Sequence, residues 1–227
     1  MHTPRIICLE GPTAVGKTTL GAQLVAQYGA AVLPELDTSG APPIAESAGW
    51  FVDRHAEQWR AARDRSAAAA FTVLDCDPLK GLWYNGMHAS EGWKGIDVVA
   101  PLYRHHIGRG TLHFPELYIV LDATESQLRE RRANDPTRRR RGFEKHVPML
   151  SAQRRYFAAL AAADPARVVV LDTADRATLV ARVITAIRDA RAPLVDPLEL
   201  LEAMTDWVRR HASNRAEPLD VQAPTQR

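Results

Sequence analysis

Cysteine is scarce in this sequence of 227 residues, with only Cys8 and Cys76 present. Each lies in an apolar run that reads as a buried strand, so both are expected to be core thiols of a reducing compartment rather than parts of a disulfide framework. No Cys-x-x-Cys pair and no Cys/His spacing suits zinc. A surplus of one charge is also missing. Twenty-nine Lys and Arg stand against 27 Asp and Glu, a formal net charge of +2, too small for a dedicated nucleic-acid binder. No apolar run approaches the roughly 20 residues a membrane helix needs. The first residues run straight into a strand pattern with no signal-peptide layout. A soluble, cytoplasmic protein without a membrane partner is expected.

What is there suits one ordinary domain. Hydrophobic residues make up 46% and charged residues 25%, enough for a real core. The near-neutral total hides one concentration. Seven of the thirteen residues in 129–141 are arginine, a local cationic cluster that points to a phosphate-rich ligand more than to a long polyanion.

Residues 5–10 form a continuous apolar run, the pattern of a strand buried on both faces. A glycine-bearing loop follows, then a helix over 17–28 closed by Gly29. Short strands are expected at 31–33, 71–74, 117–121 and 168–171, and helices at 44–69, 98–107, 125–132, 147–163 and 177–191. Residues 85–95 carry glycines and no period, so a mobile connection is expected there. Strands alternating with helices predict an α/β, three-layer fold with about five parallel strands and helices on both faces. Residues 1–192 make the expected domain, with an arginine-rich lid at about 129–145. One more amphipathic helix and a polar, disordered tail follow over 193–227. That helix could cover a sheet edge or join a homodimer.

Residues 11–18, Gly-Pro-Thr-Ala-Val-Gly-Lys-Thr, fit the G-x-x-x-x-G-K-[ST] phosphate-binding loop in full, between a buried strand and an amphipathic helix. Backbone N–H groups of Thr13, Ala14, Val15, Gly16 and the following residues converge where the helix dipole favours an anion. Gly11 and Gly16 let the backbone turn and approach closely. Lys17 would neutralise β- and γ-phosphate oxygens, and the Thr18 hydroxyl, with Thr19 beside it, would face Mg²⁺ and the phosphates of ATP. The missing Asn-Lys-x-Asp sequence argues against a guanine-specific GTPase.

Carboxylates gather at the C-terminal ends of the expected strands, where open α/β sheets bind ligands. Asp75 suits the Mg²⁺ shell or the catalytic base, and Glu35 or Asp37 could contact an acceptor hydroxyl. Asp77 is a further candidate for the acceptor. Arginines of the lid, represented by Arg132 and Arg140, would stabilise charge on the transferring phosphoryl group. On the long helix, Trp50 and Gln58 could form a slot that stacks a ring and reads its edge, with Phe51 and Trp59 expected in the core. His55 on the same helix could face this slot or be a hydrogen-bonded core histidine, and His105 and His106 read as surface.

Together these parts resemble the P-loop nucleoside and nucleotide kinases, the group that includes deoxynucleoside kinases and thymidylate kinases. The resemblance spans residues 5–191 and is most specific at 11–18. It implies a carboxylate after the second strand (Glu35, in Pro34-Glu35-Leu36), a helix carrying a glutamine (Gln58), and an acid–arginine pair ending the third strand. Here that last place reads Asp75-Cys76-Asp77-Pro78-Leu79-Lys80. Cys76 stands where the arginine would be, so the resemblance implies an acceptor held differently, with Lys80 supplying the charge one turn later. The reaction it implies is ATP- and Mg²⁺-dependent transfer of a phosphoryl group to a small-molecule acceptor. Alternatives are a kinase of nucleic-acid ends or modified bases, an antibiotic phosphotransferase, and a regulatory NTPase.

Overall fold

Residues 5–135 and 143–212 are described by the computed structural model. β1 (Ile6–Glu10) is buried at every position and lies at the centre of a five-stranded sheet. The other strands are β2 (Ala31–Leu33), β3 (Thr72–Leu74), β4 (Leu117–Asp122) and β5 (Val168–Asp172), in the order β2-β3-β1-β4-β5. Every pairing is parallel, with Cys8 opposite Leu74 on one side and Tyr118 on the other.

Because side chains alternate across a strand, the central strands feed two cores. Ile7, Leu9, Ile119 and Leu121 pack with Leu20 and Leu24 of α1 (Lys17–Tyr28), with Leu128 of α5 (Glu125–Ala133) and with Val183 and Ile187 of α8 (Leu179–Arg188). Ile6, Cys8, Tyr118 and Val120 pack on the opposite face. There they meet α2 (Ser47–Ser66), α3 (Gly81–Met87), α4 (Ile96–Gly108), α7 (Leu150–Ala163) and α9 (Pro197–Ala212). This is the three-layer α/β arrangement expected from strand–helix alternation.

Several boundaries differ from those expected. The helix expected over 44–69 opens as a 3₁₀ turn, Ile44–Glu46, before α2. The stretch 85–95 holds the end of α3 and a 3₁₀ turn at Ala89–Glu91 instead of being structureless. The helix expected over 147–163 opens as a 3₁₀ turn at Val147–Met149 carrying Pro148 before α7, and a short α6 (Phe143–His146) precedes it. Past residue 192, α9 packs against α3, α4 and α7, and its Leu200, Leu201, Met204 and Val208 join the same core as the sheet. The centre of the lid run, 136–142, and the tail, 213–227, lie outside the described residues.

Candidate active site

The turn from β1 into α1 is built around Gly11. Its φ is +140°, and a Cβ there would lie 2.4 Å from the Leu121 carbonyl oxygen at the end of β4. Only glycine lets the loop leave the sheet by this route. Gly16, at φ +113°, caps α1 in the left-handed region, and Ala14 sits at φ 70°. Lys17 bridges the loop's mouth, with Nζ donating to Gly11 O at 2.6 Å and to Pro12 O at 3.3 Å. Residues 12–19 form one wall of a cleft of about 1060 Å³.

Other elements close this cleft. Asp75, just past β3, and Glu35, past β2, line it beside Lys17 and Thr18. A capping box at Thr124 and Gln127 fixes the start of α5, which presents Gln127 and Arg131 to the cleft. Arg131 donates to Thr173 Oγ1 at 2.8 Å, to the Thr173 carbonyl at 2.6 Å and to Val15 O at 3.4 Å. Arg176 lines the same rim. Arg131 belongs to the arginine run that stands out in the sequence, whereas Arg176 does not, because it is separated in the chain from the loop it faces.

A second cavity of about 440 Å³ lies between α2, α3 and α4. Phe51, Tyr84 and Trp93 give it aromatic walls, with Phe51 and Trp93 centroids 5.4 Å apart. His55, Cys76 and Lys80 also line it. A smaller space of about 160 Å³ joins the two cavities beneath Gly11 and Lys17. Glu35 lines all three spaces. Lys80 Nζ lies 3.6 Å from Glu35 Oε1 and 4.9 Å from the centre of the Tyr84 ring. Burial pulls its pKa down, but the anionic side chains around it, Glu10 and Glu35 among them, raise it overall. Lys80 is therefore charged at neutral pH.

Beneath the loop lies a buried carboxyl network. Glu10 Oε1 accepts from Gly11 N and from Gln153 Nε2, both at 2.9 Å, and Oε2 accepts from Asp77 N at 2.9 Å. One carboxylate thus ties the phosphate loop to the loop after β3 and to α7. Asp77 Oδ1 accepts from Leu79 N and Tyr118 OH, both at 2.9 Å, while Oδ2 is buried without a partner among the described residues. Burial, then the neighbouring Glu10 charge, pushes the Asp77 pKa up to about 7. Cys76, between Asp75 and Asp77, has φ 153°, a backbone conformation that L side chains seldom adopt.

The structure brings together Lys17, Thr18, Glu35, Asp75 and Lys80, and it sets apart other expected site residues. Asp77 is fully buried and lines none of these cavities, so its part is to hold the loop below them. Asp37 is exposed and accepts from Ser39 N at 2.9 Å, a turn bond that lowers its pKa. Trp50 packs edge-on against Phe51 and under Arg54, outside the wall of the second cavity, while Phe51, expected in the core, forms that wall. Gln58 is buried, and its Nε2 donates to Pro34 O at 2.6 Å, so the amide braces the loop that carries Glu35. Arg132 is bound to Glu144 and stacked on Phe143 and does not line the first cleft. Arg140 lies outside the described residues. Glu10 and Gln153 carry no motif and emerge only from three-dimensional placement, while His55, expected at the slot or in the core, is buried on the wall of the second cavity.

Among the described residues no three His, Cys, Asp or Glu converge as a metal cage. No helix among them is long and apolar enough to cross a membrane. No protein-family model matches the chain. No curated protein matches it either. Solved structures do. Deoxyadenosine kinase from M. mycoides with the products dCMP and a flexible dCDP bound is 14% identical, with a TM-score of 0.58, over 81% of this chain and 98% of that one. The same enzyme with bound dATP gives 13% identity and a TM-score of 0.57, over 81% and 100%. Thymidylate kinase from Candida albicans gives 15% identity and a TM-score of 0.53, over 82% and 92%. At these identities the likeness is one of fold, and this chain shares its fold with nucleoside and nucleotide kinases.

Proposed function

We propose that this chain is an ATP- and Mg²⁺-dependent phosphotransferase that moves the γ-phosphoryl group to a hydroxyl of a small nucleoside-like acceptor. The observation that carries this reading is the meeting of two cavities at Glu35, with Lys17 on the donor side and Lys80 on the acceptor side. The fold shared with deoxyadenosine and thymidylate kinases supports it. Loop N–H groups of residues 13–18 would hold the β-phosphate, and Lys17 would exchange its own loop carbonyls for phosphate oxygens. Hard oxygen donors at Thr18 and Asp75 line the same cleft. They suit Mg²⁺, which binds through one or two protein oxygens, waters and substrate phosphates rather than in a protein cage. When bound it would neutralise charge between the β- and γ-oxygens.

Glu35 takes the proton from the acceptor hydroxyl as its oxygen bonds to the γ-phosphorus. The bond from that phosphorus to the β–γ bridging oxygen breaks, and ADP leaves with the electron pair. Arg131 and Arg176 line the donor rim as fixed positive charge.

Incubation with [γ-³²P]ATP, Mg²⁺ and a panel of nucleosides, nucleotides, oligonucleotides and hydroxylated antibiotics tests the reading. Label is expected on a nucleoside-like acceptor, and Lys17→Ala is expected to abolish it while the circular dichroism spectrum is unchanged. ATP binding with no labelled acceptor in any class would sink the proposal.

A further inference from the structure

Helix α5 has two working faces. Gln127, Arg131 and Asn134, four and three residues apart, line the donor cleft. Glu125, Arg129 and Arg132 recur at the same spacing on the opposite side of the helix. There Arg129 donates to both Glu144 oxygens, at 3.1 and 3.0 Å, and Arg132 binds the same carboxylate. Both guanidinium groups lie over the Phe143 ring, 5.7 and 4.8 Å from its centre. Phe143 is buried in the core that α1, α5 and α8 share with the sheet. It anchors α6 beside the helix that walls the donor cleft.

The next two residues of α6 reach the other way. Lys145 Nζ donates to Glu91 Oε2 at 2.7 Å, on the 3₁₀ turn that follows α3. The half-buried His146 lines the small space between the two cavities, and its Nε2 lies 3.2 Å from Tyr84 OH on α3. Burial, then the Lys80, His88 and Lys145 charges, lowers the His146 pKa. The ring is therefore uncharged at neutral pH and has a nitrogen able to accept the phenol proton. Tyr84 stands on the acceptor wall with Lys80 over its face, and Lys80 pairs with Glu35. Three consecutive side chains thus join the donor-cleft helix to the wall that carries Lys80, although among the described residues none of α3 lines the donor cleft. An exposed ion pair contributes little alone. The pairs of Glu144 and Lys145 orient α6, and the part-buried bond from His146 to Tyr84 is the contact that acts on the site.

We propose that His146 is a positioning residue for the transfer, which fixes the Tyr84 phenol and with it the Lys80 charge, and that α6 makes this hold depend on nucleotide in the donor cleft. This rests on the phosphotransferase reading for what the two cavities hold, but its first test needs no acceptor. Hydrogen–deuterium exchange of the full chain, read by mass spectrometry, is compared with and without a non-hydrolysable ATP analogue and Mg²⁺. The analogue is expected to slow exchange in the phosphate loop and, threefold or more, in peptides covering α3. His146→Phe keeps an aromatic ring and removes both nitrogens. It is expected to keep analogue affinity within twofold and the protection of the loop, while the protection of α3 falls to half or less. Tyr84→Phe, which removes the other partner of the bond, is expected to do the same. His146→Gln restores a donor and an acceptor and is expected to recover at least a third of the lost protection. With a labelled acceptor in hand, His146→Phe is expected to lower kcat at least fivefold while KM for ATP stays within twofold.

Protection of α3 that survives in His146→Phe overturns the proposal and leaves any coupling to Glu10. Analogue binding that never reaches α3 overturns it too, as does loss of analogue affinity in both phenylalanine variants. It also falls if kcat is unchanged in His146→Phe, or if His146→Gln recovers nothing. An analogue that does not bind at all removes the phosphotransferase reading and this inference together. Protection of α3 that depends on His146, with no labelled acceptor in any class, would defeat the phosphotransferase reading alone.

Discussion

Asp77 carries the most perturbed carboxyl group below the donor site, and the sign of its effect on stability follows from its surroundings. Its pKa is raised from 3.8 to about 7 in the folded chain. Below pH 4 the group is protonated both folded and unfolded, so its contribution to stability is fully present. As the pH rises from about 4 to 7, the unfolded chain releases this proton while the folded chain keeps it. Stability falls over that window by about 1.4 kcal/mol per pH unit at most. Asp77→Asn keeps an oxygen for Leu79 N and Tyr118 OH and removes the titration. The stability difference between variant and parent, from urea unfolding at pH 4.5 and 7, is expected to move in favour of the variant as the pH rises. A difference that stays constant between those values would mean that Asp77 titrates like an exposed carboxylate. This residue was visible in the sequence as an acid near a strand end. Its role was not, because the reversal at Cys76 separates the neighbouring acids, leaving Asp75 on the donor cleft and Asp77 buried against Tyr118.

At the scale of elements, the phosphate loop was legible because its geometry demands particular residues at fixed spacing. Gly11 has no room for a Cβ against Leu121, and Lys17 must begin the helix that follows. The parallel sheet was legible for a similar reason, since β1 and β4 are continuous apolar runs fed by two cores. The acceptor side was less legible. A helix such as α2 shows which residues share a face, but not which neighbour will claim each polar group. Gln58 illustrates this. Its amide holds the Pro34 carbonyl at 2.6 Å and so fixes the approach to Glu35. Gln58→Leu leaves that carbonyl unpaired and is expected to destabilise the fold by about 1–3 kcal/mol. A positioning role predicts more than a lower melting temperature. With Glu35 loosened, kcat is expected to fall at least fivefold at a temperature where the variant is fully folded, while KM for ATP changes less than twofold. Unchanged kcat in the folded variant would reduce Gln58 to a purely structural brace. α9 makes the complementary point, since its amphipathic stripe identified a helix but not the α3, α4 and α7 surfaces that bury it.

For the whole molecule, three elements that are distant in sequence converge on one carboxylate. Glu10 holds the phosphate loop through Gly11, the acceptor-side loop through Asp77 and α7 through Gln153. A ligand that orders the loop therefore stabilises a structure shared with the acceptor side, and nucleotide binding should be visible as global stability. At a free ATP-analogue concentration about 100 times its Kd, one site contributes about 2.7 kcal/mol. For a domain of this size, each kcal/mol shifts Tm by about 2–4 °C, so a rise of about 5–10 °C is expected in differential scanning calorimetry with Mg²⁺ present. Chelation of Mg²⁺ should shrink the rise if Thr18 and Asp75 hold the cation as proposed. Lys17→Ala should shrink it further at the same analogue concentration. Glu10→Gln keeps the shape of the strut but removes its charge and turns one acceptor into a donor facing N–H groups. It is expected to lower the ligand-free Tm and also to weaken both analogue and acceptor affinity, since the strut serves both cavities. A Glu10→Gln chain that lost stability but bound both ligands as the parent does would show that the strut supports the fold without coupling the two halves of the site.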